Sequence, residues 1–268
     1  MAPPPGPGYA PMAYAYYAPA AETERRTQVD RTKAGILLLV IGAALAWLPN
    51  AFAQIGGYLM VFIGAILVFA GRKAFGSPHP RNAGISFALI LSGLVGIIAV
   101  LVFFGLAFLS ALARAVFDPV GAVNAMVAAL NIFLIGQIVI IAIFGLALVL
   151  VTYSLQKSIG RILLWAAYGT GLGVQAAIFA VIYLAIQDLL AGVITSGSVD
   201  AVQALVDQSG SLGLLSVISW ALFAVAYFLA WQRISKGEIP EKAGAPAAVV
   251  PMPPFPTPPP PSPPPSGP

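Results

Sequence analysis

The stretch that decides the fold is residues 71–82, which read Gly71-Arg72-Lys73-Ala74-Phe75-Gly76-Ser77-Pro78-His79-Pro80-Arg81-Asn82. It is the clearest polar segment between long apolar runs, and it holds three cations, the single histidine and two prolines. The prolines disfavour a continuous helix through the segment. Cations beside an apolar run indicate the side of a membrane on which a loop lies. This loop therefore sets the side on which every other loop lies.

The composition indicates lipid rather than water as the solvent. Of 268 residues, 59% are hydrophobic and 8% are charged, whereas a soluble domain carries about 25% charged residues. The mean hydropathy is +0.92, which is more apolar surface than a water-soluble fold of this length could bury. The chain has no cysteine, which excludes disulfides, thiolate metal sites and a thiol nucleophile. Its cations stand in pairs at the ends of apolar runs, a membrane-flank pattern that does not indicate nucleic acid as a partner.

Six apolar runs predict an all-α fold, a polytopic six-helix transmembrane bundle over residues 31–235. The runs cover residues 34–48, 55–71, 83–113, 126–152, 162–188 and 212–232. The first two are short for a hydrocarbon layer of about 30 Å, so they predict a tight hairpin, with a re-entrant pair as the alternative. The third and fourth are long, so these helices must tilt or project beyond the lipid.

The cations predict the topology. Twelve lie in the two terminal flanks, the second-to-third loop and the fourth-to-fifth loop, whereas the other three loops hold only Arg114. By the positive-inside rule both termini are cytoplasmic, and we expect a multi-pass protein of the cell membrane. One alternative is a cleavable signal peptide, because cations, an apolar run and Ala51-Phe52-Ala53 follow one another. Against cleavage, a new apolar run begins at once with Ile55.

Both tails are rich in proline and are predicted to be disordered. They cover residues 1–30, with four tyrosines among prolines and alanines, and residues 236–268, with a long proline run. PxxP spacings favour polyproline II and could dock in aromatic grooves of cytoplasmic proteins, or the tails could be passive. Between the fifth and sixth runs, the spacing of Val199, Val202, Leu205 and Val206 predicts a short surface helix.

A glycine motif lies inside the fifth run, Gly169-Thr170-Gly171-Leu172-Gly173. Gly169 and Gly173 form a small-xxx-small face that lets another helix approach closely. A nucleotide-binding loop would need a preceding strand and a following Lys-Ser/Thr, and the sequence has neither. The motif therefore predicts helix packing.

Five polar side chains interrupt the apolar runs: Asn131, Gln137, Gln175, Gln187 and Asp188. Intramembrane polar groups are candidate functional residues. Neutral amides also serve as interhelical hydrogen-bond partners, and that interpretation is favoured here because a proton or ion path would need more ionisable groups.

The ionisable residues predict no catalytic set. His79 has no nearby carboxylate or cysteine, and we expect a solvated loop histidine. Counting about 1.5 Å per residue from the cytoplasmic cations places Arg114, Asn131 and Asp188 near the outer interface. Arg114 and Asp188 are therefore predicted to approach each other, with Asn131 or Gln187 nearby, and the alternative is that both face water.

The first third of the chain resembles a known class of proteins. The residues that carry the resemblance are Lys33, Gly35 to Leu39, Gly56-Gly57, Gly64 to Leu67, Gly71 to Gly76, His79 and Arg81-Asn82. This pattern is similar to uncharacterised multi-pass membrane proteins of archaeal type. The resemblance implies a class of membrane protein but no chemistry, because that family has no established activity.

The functional expectation is a non-enzymatic membrane scaffold or interaction protein. Its partners would be the lipid bilayer, cytoplasmic proteins that bind the proline-rich tails, and other copies of the chain. The alternative is a small transporter or channel subunit. No cofactor or metal is expected, and no enzyme, because the sequence lacks an acid–base pair, a nucleophile dyad and a metal cluster.

Overall fold

A computed structural model describes residues 11–48, 50–196 and 210–239, with side-chain burial for residues 22–48, 50–118, 120–186 and 210–239. The predicted surface helix near residues 199–206 lies outside the described residues, as do residues 1–10 and 240–268 of the predicted tails. Packing is described below for the compact unit that begins at Glu24.

The described chain is nearly all helical, as predicted. Its helices are α1 (Pro11–Ala46), α2 (Ala51–Ala70), α3 (Pro78–Ala115), α4 (Pro119–Tyr153), α5 (Ser158–Ser196) and α6 (Ser216–Ser235), with a 3-10 turn at Arg72–Ala74. Within the described residues, five helices are long and apolar enough to cross a membrane: Ala51–Ala70, Pro78–Ala115, Val120–Tyr153, Ser158–Ile186 and Gly210–Ser235. The chain therefore has the features of a membrane protein. α1 is not among the five, because its uncharged part, residues 34–46, is short and follows Arg31 and Lys33.

The helix bounds differ from the predicted ones at two places. α1 already includes residues 11–30, which were predicted as part of a disordered tail. Side chains four residues apart support this polar part of the helix, and Gln28 Nε2 donates to Glu24 Oε1 at 3.1 Å. α3 begins at Pro78 rather than at residue 83, so both loop prolines lie in its first turn. A proline is tolerated there because the first-turn N–H groups have no partner within the helix.

Glycines at seven-residue spacing join α1 to α2 in the predicted tight hairpin. A Cβ placed on Gly64 would lie 2.6 Å from the carbonyl oxygen of Gly35, and one on Gly57 would lie 2.6 Å from the backbone N of Ala46. A Cβ on Gly71 would collide with Thr32. The two backbones therefore approach closely from Gly57 to Gly71, which residues without a side chain permit.

The remaining helices pack as antiparallel neighbours along the chain. Rings fill the space left by glycines: Phe144 of α4 lies against Gly93 of α3, and Tyr168 of α5 lies against Gly145 of α4. Phe69 and Phe87 stack at 4.4 Å between α2 and α3, and the rings of Tyr58 and Trp220 lie 5.8 Å apart between α2 and α6. These contacts place Arg72, Lys73, Lys157, Arg161 and Arg233 at one end of the helices, called the cationic end below.

Candidate functional site: the junction at the cationic end

The turn between α4 and α5, residues 154–157, is the point where several elements meet at the cationic end. The chain reverses there within a few residues, with Leu155 N bonded to Thr152 O at 2.9 Å. Side chains from the start of α3 and the end of α6 close around the turn. This cluster, His79, Ser154, Gln156, Arg233 and Glu238, is called the junction below.

His79 joins the junction from α3, and its predicted place in solvent is wrong. Its side chain lies inside, with the whole residue 2% exposed. Its Nδ1 lies 2.9 Å from Ser154 Oγ, and the Phe75 ring meets it edge-on at a centroid distance of 5.2 Å. Because helix α3 begins at Pro78, His79 falls in its first turn and packs towards α4 rather than standing in a loop. The other ring nitrogen, Nε2, is buried without a hydrogen-bond partner among the described residues.

Gln156 and Arg233 tie the turn to α6. Gln156 is buried, and its Nε2 donates to the carbonyl oxygen of Ala226 at 2.7 Å. Arg233 Nη1 donates to the carbonyl oxygen of Leu155 at 2.5 Å. Each bond joins a side chain of one element to a backbone carbonyl of the other, so the turn and α6 hold each other.

Glu238 closes the junction through a left-handed turn at the end of α6. Gly237 has φ 67°, and Glu238 N bonds back to Arg233 O at 3.0 Å, a capping pattern that favours glycine. The turn brings Glu238 Oε2 to 2.8 Å from Lys157 Nζ and 3.7 Å from Arg233 Nε. The hydrogen bond and charge of Lys157 hold the pKa of Glu238 below its ordinary value.

Beside the junction lies a shallow pocket of about 220 Å³ lined by Lys73, Phe75, Ser77 and Pro80. Helix N-termini can bind anions through free backbone amides. Here Pro78 and Pro80 have no amide hydrogen, and His79 N already bonds Gly76 O at 3.0 Å. The pocket is therefore a poor anion site.

Polar side chains between the apolar parts of the helices bond to the backbone of a neighbouring helix. Ser86 Oγ of α3 donates to Ala147 O at 2.8 Å, Ser219 Oγ of α6 donates to Ala167 O at 2.7 Å, and Tyr227 OH donates to Leu148 O at 3.0 Å. All three residues are buried. These bonds link α3 to α4, α6 to α5 and α6 to α4.

The predicted amide sites do not meet at one place. Asn131 and Gln137 lie half-buried on α4, and Gln175 lies half-buried on α5. The Oδ1 atom of Asn131 is buried without a hydrogen-bond partner among the described residues. The serines and the tyrosine named above make interhelical bonds in the described part of the chain, and an interhelical role of these amides stays a prediction.

The predicted glycine face is open. Gly169 and Gly173 are exposed, and no described atom lies within 4 Å of a Cβ placed on either. Gly171 packs instead, since its Cβ would lie 2.7 Å from Ser219 Oγ. The reason is rotational: α6 covers the side of α5 that holds Ala167 and Gly171, so the small-xxx-small pair points away. No described helix packs on this face, and helix packing through Gly169 and Gly173 stays a prediction.

The predicted pair at the opposite end is only half described. Arg114 ends α3 with an exposed side chain. The side chains of Gln187 and Asp188, on α5, lie outside the described residues. The approach of Arg114 and Asp188 stays a prediction.

Sequence reasoning missed the junction and the cross-helix hydroxyls, although a signal for some of them exists. The buried residues of α3 include His79, Ala83, Ser86, Ile90 and Gly93, which alternate at spacings of four and three. That spacing marks one face of a helix. Reading it outward from Gly93 would have placed Ser86 and His79 on the packed side. The partners of Gln156 and Arg233 lie more than 60 residues away along the chain and leave no local pattern.

Comparison with known proteins adds no family: no family model matches the chain, and no curated protein and no solved structure matches it either. The resemblance of the first third to archaeal-type membrane proteins stays a prediction. The site is therefore judged on its geometry alone. Its groups hold elements together: the hydrogen bonds named above for the junction and between the helices join a side chain of one element to a carbonyl, a hydroxyl or a carboxylate of another.

Proposed function

We propose that the chain is a multi-pass cell-membrane protein that acts as a non-enzymatic scaffold or interaction protein. One observation carries the proposal: buried polar side chains between the helices, Ser86, Gln156, Ser219 and Tyr227, each bond a backbone carbonyl of another element. Such bonds fix helices in place, which suits a protein that presents surfaces to partners.

The proposal includes six spanning helices with both tails in the cytoplasm. Support for a sixth span is the backbone contact of α1 with α2, which runs from Gly35 beside Gly64 to Ala46 beside Gly57. A helix that packs backbone to backbone against a spanning helix shares its apolar surroundings over that contact, and Arg31 and Lys33 can extend their charges to the headgroups. The cations gathered at the cationic end support a cytoplasmic location for that end.

Partners are proposed at two places. The proline-rich tails offer PxxP spacings to cytoplasmic proteins. The open face of Gly169 and Gly173 suits a homo-oligomer, since exposed small residues let a helix of another copy approach closely.

A transporter or channel subunit is the second candidate, and one observation favours it. Asn131 Oδ1 is buried on a spanning helix without a partner among the described residues, and such groups often mark a solute path. An Asn131→Leu variant in proteoliposomes separates the two functions. Solute or ion flux that the protein supports and the variant loses would favour transport.

The scaffold role is tested by proximity crosslinking in native membranes, with the full chain and with a chain that lacks residues 240–268. We expect specific proteins to crosslink to the full chain and to be lost from the shortened one, while membrane insertion is unchanged. Identical crosslinked proteins in both would reject recruitment by this tail.

Topology is tested with single cysteines at Ser77 and Ser196, because the natural chain has no cysteine. An impermeant thiol reagent should label them from opposite sides of sealed vesicles. Labelling of both from one side would reject the six-span arrangement.

A further inference from the structure

The turn between α3 and α4 lies beyond the level at which α2 ends, on the side opposite the cationic end. The stacked rings of Phe69 and Phe87 set a common level. From there α2 continues for about 27 Å to Ala51, whereas α3 continues for about 42 Å to Ala115, at about 1.5 Å per residue. The turn is therefore about 15 Å further out along the helices than the end of α2.

Arg114 marks the point where α3 leaves the lipid. No charged residue lies between Arg81 and Arg114, and the two are about 50 Å apart along the helix at about 1.5 Å per residue. A bilayer with its headgroup layers is about 40–45 Å thick, so Arg114 reaches the far face of the headgroups at any tilt up to about 30°. Val116, Phe117 and Val120 follow Arg114 and therefore lie on the aqueous side.

These three apolar residues form an exposed surface at the turn, called the apolar tip below. Val116 is 78%, Phe117 90% and Val120 71% exposed. Together they present on the order of 400 Å² of apolar surface. The largest apolar patch on a typical soluble monomer is about 300–600 Å² and is often an interaction site. Because such a surface is unfavourable in water, the apolar tip is suited to bind another protein surface.

Two opposite charges stand beside the apolar tip. Arg114 precedes it and Asp118 lies between Phe117 and Val120, and both charged side chains are exposed. Within the part of the chain that the structure describes, neither has an ion-pair partner. The Oδ1 atom of Asp118 accepts a hydrogen bond from Gly121 N at 2.9 Å, which caps α4 but leaves the negative charge unpaired.

We propose that the apolar tip binds the apolar tip of a second copy of this chain, in a two-fold symmetric pair on the aqueous side opposite the cationic end. In a two-fold pair the same surface patch serves on both copies, so the patch must be complementary to itself. One cation and one anion beside an apolar centre meet this condition, because Arg114 of each copy then faces Asp118 of the other. A tip that carried two like charges would repel its own copy.

The size of the apolar tip predicts a weak pair. Two tips of on the order of 400 Å² each bury about 800 Å² in total, which is below the roughly 1,200 Å² that separates transient from stable interfaces. Exposed charge pairs at the rim of such a contact are screened by salt. We therefore expect the pair to form more at a high protein-to-lipid ratio and less at high ionic strength.

The inference rests on the membrane insertion proposed above and not on the scaffold role, and insertion is measured separately by the labelling of Ser77→Cys and Ser196→Cys. Ala115→Cys places a single thiol beside the apolar tip in a chain that has no cysteine, so a short bismaleimide reports pairing in proteoliposomes. Phe117→Ala should lower this crosslinking several-fold. Ile98→Ala, at a position 64% exposed in mid-span, is the matched control and should leave it unchanged.

An exchange of charges identifies the partner as a second copy. Arg114→Asp and Asp118→Lys, each tested alone in the Ala115→Cys chain, place like charges across the axis and should each lower crosslinking about three- to tenfold. A mixture of the two variants has opposite charges at both contacts, so crosslinks between them should return to the wild-type level. Arg114→Lys keeps the charge and should crosslink like wild type, and it tests the charge without touching the cap that Asp118 provides.

Three results would overturn the inference in a chain that is shown to be inserted. The first is that Ala115→Cys does not crosslink, and the second is that Phe117→Ala leaves its crosslinking unchanged. The third is that the charge reversals lower crosslinking while their mixture does not restore it. In that case Arg114 pairs within its own chain or with another protein, and a second copy is not the partner of the apolar tip.

Discussion

Gly64→Ala tests whether backbone contact between α1 and α2 holds the hairpin. The new methyl group would lie 2.6 Å from Gly35 O and 3.1 Å from both the backbone N and Cγ of Leu39. Two of these atoms are backbone, so no rotamer change relieves the clash. Moving the Gly35 oxygen out to an ordinary contact of 3.4 Å requires α1 to shift by about 0.8 Å, the difference between 3.4 and 2.6 Å.

The expected loss follows from that shift. A gap of about 0.5–1 Å forfeits roughly a quarter to a half of the dispersion energy of the contacts it opens. Overpacking of this kind costs about 1–3 kcal/mol, offset by the helix propensity of alanine over glycine, about 1 kcal/mol. We expect Gly64→Ala to lower the free energy of unfolding by up to about 2 kcal/mol on balance, which is about 1–3 kcal/mol below a glycine-to-alanine change without a clash.

The matched control is Gly169→Ala, where the structure has no described atom within 4 Å of the new methyl group. The higher helix propensity of alanine then acts without a steric cost, so this variant should be neutral or up to about 1 kcal/mol more stable than wild type. Unfolding in mixed micelles, followed by tryptophan fluorescence, measures both variants. If Gly64→Ala is as stable as Gly169→Ala, close backbone packing does not hold α1 against α2 and the reasoning fails.

Three further predictions concern the polar contacts, and each is measured as the unfolding stability of the variant in the same micelles. Ser219→Ala should cost about 0.5–1.5 kcal/mol, because its hydroxyl bonds α5 at 2.7 Å. Thr170→Ala, whose hydroxyl bonds its own helix at 2.8 Å, should cost less; equal losses would contradict the cross-helix role. Gln156→Leu should cost about 0.5–1.5 kcal/mol, because it removes a buried hydrogen bond to the Ala226 carbonyl. An unchanged unfolding midpoint would show that this bond does not stabilise the fold. Glu238→Gln should lower stability at neutral pH, because it removes the ion pair with Lys157 that depresses the pKa of Glu238. The stability that this ion pair contributes is present above the ordinary pKa of a glutamate and is lost as the pH falls through the lowered pKa of Glu238. A difference between wild type and variant that does not shrink in acid would exclude this ion pair.

Positions of the helices could be predicted because each long apolar run of a membrane protein carries its own signal. The burial of polar side chains between helices could not be predicted, since the sequence does not distinguish a serine or histidine that faces water from one that faces a neighbouring helix. His79 shows the difference: prolines on both sides suggested a loop, yet the same prolines lie in the first turn of α3 and the ring packs beside Phe75. The Gly169 and Gly173 pair shows it again, because spacing identifies a smooth face but not whether α6 lies upon it.

By itself, the sequence determined that this chain is a helical membrane protein, where its apolar segments lie and which loops carry its cations. These properties follow from transfer of side chains between water and hydrocarbon, which acts residue by residue along the chain. Tertiary structure alone decided that α1 and α2 touch backbone to backbone, that the α4–α5 turn is bonded by Gln156, Arg233 and Glu238, and that no described helix lies on the face of Gly169 and Gly173. Each of these depends on the rotation and register of one helix against another, which short-range contacts between distant residues set.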